Sequence, residues 1–248
     1  MIHAIIPDVQ AKPGQDFSFL TAVGEYLVEK QPDRWICIGD FADMPSLSSY
    51  DVGKKSFEGR RYQDDLIAAN QAMNALLNPL RKYNTRAFVN KKKQYHPDMF
   101  MFLGNHEHRI ERVIENDPKL DGTISTDQLP YQDWMVYPYQ QVEIIDGIAY
   151  THVFTTGVMG RPVTSARALV TKKHMSCVQG HNQKMEIYNE YKADEYGSEC
   201  ESKEALSSAL VKLADENKSF PLSHPLTIAL YFTHPPLVER LKKLGMSF

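Results

Sequence analysis

Three short apolar runs, each followed closely by a polar side chain, constrain the fold of this chain more than any other feature. They are residues 2–7 before Asp8, residues 35–38 before Asp40 and residues 99–103 before Asn105. Continuous apolar runs of this length are typical of buried strands. Between them, residues 16–29 and 62–83 have helical periodicity, with a break predicted near Pro79. Further on, residues 141–145 and 148–151 flank an Asp-Gly pair, which predicts a β-hairpin.

Five polar residues lie at or just beyond the ends of predicted strands: Asp8, Asp40, Asn105, His152 and His181. Loops that leave the carboxyl ends of strands in one sheet converge, so we expect these side chains to lie close together. Carboxylate, amide and imidazole ligands suit Mn, Fe, Zn or Ni. Asp40 is placed to bridge two ions about 3.5–4 Å apart, as in two-metal hydrolases.

Composition places the chain among ordinary globular proteins. It has 248 residues, 42% hydrophobic and 24% charged, with a formal net charge of −3, which gives no sign of nucleic-acid binding. Three widely spaced cysteines favour reduced thiols and a cytoplasmic protein over a disulfide framework. The first residues resemble a strand and not a signal peptide, and no apolar run is long enough for a membrane span.

The polar residues belong to motifs that occur in a fixed order along the chain. They are D-x-Q at residues 8–10, GDFAD at 39–43, GNHE at 104–107, a lone His in YTHVF, and GHNQ at 180–183. Together they resemble the calcineurin-like metallophosphoesterases over about residues 1–185, in wording closest to phage and bacterial members. The resemblance implies an α+β fold, the αββα sandwich. It also implies metal-dependent hydrolysis of a phosphate mono- or diester, with a nucleotide or nucleic acid among the candidate substrates.

The resemblance also implies a role for each motif residue. Asp8 binds a first metal ion and Asp40 bridges both ions, while a second ion is bound by Asn105, His152 and His181. His106 lies beside the substrate as the general acid. Glu107, next in sequence, is considered as the partner that holds the charge of His106 near neutral pH.

Two departures from the family pattern concern Gln10 and Gln183, which stand where histidines usually bind the first metal ion. An amide oxygen is a weaker and harder ligand, so we expect two divalent ions with manganese preferred over Mg, Fe, Ni or Zn. The alternative is a non-catalytic module that binds metal or phosphate. Taken singly, Asp8 is explained equally well as a cap, Asn105 as a turn residue and His152 as a core histidine.

Four arginines are candidates for contacts with the substrate. Arg60 and Arg61 are predicted, with Asn105, to bind phosphate, although a solvated face explains these two arginines equally well. Arg109 and Arg112 lie three residues apart beside glutamates, and that spacing favours a solvated, salt-bridged helix face.

The C-terminal part, about residues 188–245, has a different resemblance. EYKADEY, SSALVKLADEN and THPPLVERLKKLG resemble the C-terminal segment of CAAX-prenyl-protease-type zinc metallopeptidases. The chain has no H-E-x-x-H, and Glu190 alone cannot hold zinc, so we do not expect a peptidase and predict that Glu190 and Asp194 form a solvated helical pair. The predicted organisation is a phosphoesterase domain at 1–187 and a helical tail at 188–248, without strands after Gln183. A third functional hypothesis is a peptidase-derived interaction segment in this tail.

Overall fold

A computed structural model describes residues 1–189 together with the backbone of two short strands beyond them. The strands are β1 (His3–Ile6), β2 (Arg34–Cys37), β3 (Asp98–Phe102), β4 (Met135–Tyr137), β5 (Glu143–Ile145), β6 (Ile148–Thr151), β7 (Thr155–Thr156), β8 (Arg161–Pro162), β9 (Cys177–Gln179), β10 (Lys192–Ala193) and β11 (Glu199–Cys200). The helices are α1 (Ser18–Lys30), α2 (Tyr62–Val89), α3 (Arg109–Asn116) and α4 (Ala166–Lys173), with 3₁₀ turns at Pro45–Leu47, Lys55–Phe57, Pro118–Leu120 and Thr126–Gln128.

The three apolar runs of the sequence form neighbouring strands of one parallel sheet. Its order is β1-β2-β3-β4, and Ile36 of β2 aligns with Ile5 on one side and Phe100 on the other. Both faces of a parallel sheet are normally covered, which explains why these strands are apolar without alternation. Because the strands are parallel, the loops after β1, β2 and β3 leave from the same edge of the sheet.

Helices α1 and α2 pack against each other and against one face of this sheet. A Cβ added to Gly24 of α1 would lie 2.2 Å from the Leu76 carbonyl oxygen and 3.0 Å from Pro79, so the two helices meet without room for a side chain. Helix α2 runs through Pro79, and the predicted break there is wrong. Pro79 is buried in this contact, and tertiary packing keeps the helix continuous despite the missing N–H.

A second sheet, of order β5-β6-β9, carries the histidines. The predicted hairpin is confirmed, since β5 pairs with β6 in antiparallel register around Asp146 and Gly147. Strand β9 then adds parallel to β6, with Tyr150 aligned to Val178. This parallel pairing places the ends of β6 and β9, and therefore His152 and His181, at one edge of the second sheet.

Two apolar clusters hold the second sheet in place. Between the sheets lie Ile36, Ile38, Phe100, Phe102, Ile145 and Tyr150. On the outer face, Leu169 of α4 packs with Ala149, Phe154 and Val163. The resulting order of helices, sheet, sheet and helix is the one that an αββα sandwich requires, and membership of that fold class stays a prediction.

The segment after Gln183 departs from the sequence analysis. Lys192–Ala193 and Glu199–Cys200 pair as antiparallel strands, so the expectation of no strand in this segment is wrong. Glu190 and Asp194, predicted as a solvated helical pair, lie outside the described residues, and Lys192–Ala193 between them is a strand. Most of the tail predicted to be helical lies outside the described residues, and the domain boundary at 187/188 stays a prediction. Within the described part of the chain, no helix is long and apolar enough to cross a membrane.

Candidate metal centre

Asp40, His152 and His181 form a group able to hold a metal ion. One ligand atom from each lies within 4.8 Å of the others. Asp40 follows β2, His152 follows β6 directly and His181 follows β9, so the group forms where the edges of the two sheets meet. Asp40 Oδ2 lies 3.5 Å from His152 Nε2, and the two imidazole rings are nearly perpendicular. The sequence predicted these three ligands, and the structure brings them together.

The orientation of His152 suits a ligand. Its side chain is fully buried, and Nδ1 lies 2.9 Å from the Ile38 carbonyl oxygen. Donation of the Nδ1 proton to that carbonyl leaves the lone pair on Nε2 facing Asp40 and Asn105. Burial lowers the pKa of His152, which favours the neutral imidazole that a metal ion requires.

Asn105 contacts both histidines. Its Oδ1 lies 2.7 Å from His181 Nδ1 and 3.1 Å from His152 Nε2. When His152 Nδ1 carries the proton, His152 Nε2 and Asn105 Oδ1 are both acceptors and repel each other. A cation bound by both atoms would remove this repulsion. The donor set therefore fits a divalent metal ion.

Asp8 lies beside this group and carries an unused ligand atom. Its Oδ2 accepts a hydrogen bond from the His181 backbone N–H at 3.0 Å, and its Oδ1 is buried without a partner. Burial, followed by the nearby charge of Asp40, raises the pKa of Asp8 to about 8. A bound cation would lower that pKa and stabilise the ionised carboxylate.

The two glutamines predicted as ligands have different surroundings. The backbone N–H of Gln10 donates to the Asp40 carbonyl at 2.8 Å, and its side-chain Nε2 is buried without a partner. Gln183 is exposed, so the structure does not bring its side chain together with the other predicted ligands.

His106 is held by a residue to which sequence reasoning gave no role. Its Nδ1 lies 2.6 Å from Asp43 Oδ1, and its Nε2 lies 3.6 Å from Asp40 Oδ2. Burial lowers the pKa of His106, but the hydrogen bond to Asp43 and the charge of Asp40 outweigh it, so the pKa is raised. Glu107 as the partner of His106 is therefore wrong, because its carboxylate turns inward. Asp43 is the last residue of GDFAD, and that motif was the signal available for finding it.

Arg109 also belongs to the site. Its guanidinium donates to the carbonyl oxygens of Asp43 at 2.6 Å and Met44 at 3.3 Å, and lies 3.3 Å from His106 Nε2. The prediction of a solvated, salt-bridged face is wrong for Arg109, because the loop after β2 folds over the start of α3. Glu111, its expected neighbour, pairs with His108 instead.

The two predicted substrate arginines line a cavity of about 510 Å³. Arg60 is already engaged, donating to Asp51 at 2.9 Å and to the Pro45 carbonyl at 3.0 Å. Among the described residues, Arg61 donates only to the Arg60 carbonyl, and most of its donors have no acceptor there. Asp43 and Arg109 line the same cavity, so it reaches the side chains that hold His106. Asn105 contacts the histidines and does not line the cavity.

Comparison with known families matches residues 140–246, less than half of the chain, to peptidase family M48. Three curated relatives are similar over 55 residues, which is 22% of this chain. CAAX prenyl protease 1 homologues of Mus musculus and Homo sapiens are 40% identical there, and that of Arabidopsis thaliana 42%. The matched segment is 12% of the first two relatives and 13% of the third, so the chain spans about an eighth of their length. No solved structure matches.

These matches contradict the phosphoesterase interpretation. Recognition as a calcineurin-like phosphoesterase of phage type, phosphoester hydrolysis, a phosphoester substrate and the preference for manganese are all wrong by this finding. The physical reason is that carboxylate, amide and imidazole groups at strand ends hold a divalent cation without specifying which bond is cleaved. The rejection of a peptidase on ligand count considered Glu190 alone as a zinc ligand and did not weigh Asp40, His152 and His181 for that role.

Proposed function

We propose that this chain is a zinc-dependent hydrolase of peptide bonds, with the metal ion held by Asp40, His152 and His181. The observation that carries the proposal is the convergence of these three ligand atoms within 4.8 Å. Two imidazoles and one carboxylate, with a fourth position left for water or substrate, are the ligand set of zinc peptidases. His152 and His181 lie inside the segment that matches the peptidase family, and Asp40 lies before it.

A metal ion bound there supplies Lewis acidity toward water and the carbonyl group of a peptide bond. The chain itself supplies proton transfer and orientation. His106 carries a proton beside Asp40, oriented by its hydrogen bond to Asp43, and is positioned to donate it to a leaving amine. Arg109 holds Asp43 in place through the backbone, which keeps His106 facing the site.

We extend the proposal to two finer features, a second metal ion and a substrate cleft. Asp8 Oδ1 is buried without a hydrogen-bond partner among the described residues, and the charge of Asp40 nearby raises the pKa of Asp8, which supports a second ion that Asp8 and Asp40 would hold. The cavity of about 510 Å³ beside Asp43 and Arg109 is large enough for several residues of a peptide, with Arg61 available to bind a carboxylate. Because the similar relatives are CAAX prenyl proteases, a prenylated peptide ending in C-a-a-X is the first substrate to test.

The test measures metal content and peptide cleavage on the same full-length protein. Zinc-loaded protein is incubated with a fluorogenic farnesylated C-a-a-X peptide and with its unprenylated counterpart. We expect bound zinc and cleavage, with both strongly reduced in Asp40→Asn and His181→Ala. Asp121→Asn and His96→Ala, which change exposed residues outside the site, are the matched controls.

Three results would overturn the proposal. The first is a failure to bind zinc above the level of His181→Ala. The second is peptide cleavage that persists in Asp40→Asn. The third is bound metal without peptide cleavage, together with turnover of p-nitrophenyl phosphate as a comparison substrate. A zinc content near one ion per chain would contradict only the proposed second ion. A decrease from two ions to one in Asp8→Asn would support the second ion.

A further inference from the structure

Glu107 is a fully buried carboxylate that does not itself face the metal ligands. Its two oxygens accept four hydrogen bonds. Oε2 accepts from the backbone N–H groups of Gly104 at 2.9 Å and Asp40 at 3.1 Å. Oε1 accepts from the Ala42 backbone N–H at 2.8 Å and from the Tyr131 hydroxyl at 3.0 Å. The backbone donors belong to the loop after β2 and the loop after β3, so this carboxyl group joins the two loops.

Asp40 needs such a restraint because its backbone is unfavourable. Its φ is +50°, in the left-handed region that residues other than glycine seldom adopt. Two backbone hydrogen bonds hold it there. The N–H of Asp40 donates to Glu107, and its carbonyl accepts from the Gln10 N–H at 2.8 Å. The conformation of Asp40 therefore depends on contacts from outside its own loop.

The same turn that carries Glu107 also orients the side chain of Asp40. The His106 backbone N–H donates to Asp40 Oδ1 at 2.9 Å, which leaves Oδ2 facing His152 Nε2 at 3.5 Å. A Cβ added to Gly104 would lie 2.0 Å from Asp40 Oδ1 and 2.3 Å from its backbone nitrogen. The two loops thus approach as closely as a glycine allows, and Glu107 holds them at that distance.

We infer that Glu107 is the positioning residue of the metal centre, holding Asp40 so that Oδ2 completes the ligand set with His152 and His181. The inference rests on the proposed function only in that these three residues bind a divalent ion. It assigns Glu107 no contact with metal or substrate. Its effect passes through the backbone of Asp40 and the turn that includes Gly104.

The test is a titration of full-length Glu107→Gln with cobalt, whose absorption bands report coordination geometry. The side-chain NH₂ of a glutamine would face the backbone N–H donors that Glu107 now accepts from, and some of these donors would lose their acceptor. We expect the variant to fold, to bind cobalt about 10–100-fold more weakly than the wild type, and to show shifted bands. Glu111→Gln is the matched control, because Glu111 is half-exposed and pairs with His108 away from the trio.

Tyr131→Phe provides a second measurement that keeps the charge of Glu107. It removes one of the four donors, so we expect a smaller loss of cobalt affinity with a band shift in the same direction. Cobalt affinity and spectra unchanged in both variants, with only the midpoint of thermal unfolding lowered, would show a purely structural role. If Glu107→Gln does not fold, an unchanged spectrum in Tyr131→Phe overturns the inference by itself. A wild type that binds no cobalt contradicts the proposed function instead, so the two failures are distinguishable.

Discussion

The two sheets of this protein contribute unequal parts of the same site. The parallel sheet is covered by α1 and α2 and has an extensive apolar core, whereas the second sheet is covered by the short helix α4 and a small cluster around Leu169. The first sheet supplies Asp8, Asp40 and Asn105 from its loops, and the second supplies His152 and His181. The half with the larger apolar core thus carries the acidic and amide candidate ligands, and the half with the smaller core carries the imidazoles.

This division has an electrostatic consequence. Asp8 and Asp40 are buried near each other and near Glu107, and burial followed by the neighbouring carboxylate raises the pKa of Asp8. Without a cation, the loops of the first sheet therefore hold buried carboxyl groups that disfavour each other's ionisation. The second sheet adds neutral imidazoles, and packing between the sheets brings the two sets together. The candidate metal centre is consequently formed by the contact between the two sheets.

The largest expected effect comes from deleting core volume in each region. Leu76→Ala in α2 should destabilise the protein toward the upper end of the ~2–5 kcal/mol range for such changes, and Leu169→Ala in α4 toward the lower end. The reason is that more side chains surround Leu76 than Leu169 and cannot all relax into the cavity. The free energy of unfolding from urea titrations measures both. Equal losses would mean that the two halves contribute equally to stability.

A smaller effect is expected where the second sheet reaches Asp8. A Cβ at Gly180 would lie 2.4 Å from Asp8 Oδ1 and 3.1 Å from the Ile38 carbonyl oxygen. We expect Gly180→Ala to cost about 1–3 kcal/mol and to weaken zinc binding, because the His181 backbone must move away from Asp8. Zinc affinity and urea unfolding measure the two effects. Gly157→Ala, whose Cβ meets nothing within 4 Å, is the control for zinc affinity and should leave it unchanged; its φ of +73° means that the alanine also lowers stability, so it is no control for urea unfolding.

A third comparison concerns pH and the acids of the first sheet. The pKa of Asp8 is raised from 3.8 to about 8, so between these values the folded protein retains a proton that the unfolded chain has released. Stability of the metal-free protein should therefore fall as pH rises through this window, with no further contribution from Asp8 above it. Asp8→Asn cannot titrate and should show a shallower fall in the thermal midpoint with chelator present. Parallel profiles for the two proteins would contradict the raised pKa.

Much of the secondary structure was predictable from the sequence. The apolar runs became β1, β2 and β3, and the Asp-Gly pair became the turn between β5 and β6, because burial and turn chemistry leave local patterns. Continuity of α2 through Pro79 was not predictable. It depends on the contact with Gly24, and Gly24 lies 55 residues away in the sequence.

The site was predictable in part, and its chemistry less so. Residues at strand ends mark an edge where loops meet, so the positions of Asp40, His152 and His181 in the sequence were enough to group them. Glycine-containing loops with carboxylate, amide and imidazole residues occur in many metal sites. The order of the motifs along the chain therefore resembled a phosphoesterase, whereas the comparisons match a peptidase family. Ligand type indicates a cation, whereas the substrate depends on the surrounding cleft.

The sequence by itself determined where the strands and helices form and which polar groups stand at their ends. Only the tertiary structure decided that Asp43 orients His106, that Arg109 turns toward the site, and that Glu107 joins the loops instead of pairing with its neighbour. The physical reason is that local patterns record periodicity and turns over a few residues. Which groups form a buried hydrogen bond depends on which loops come within about 3 Å of each other, and the packing of the two sheets decides that.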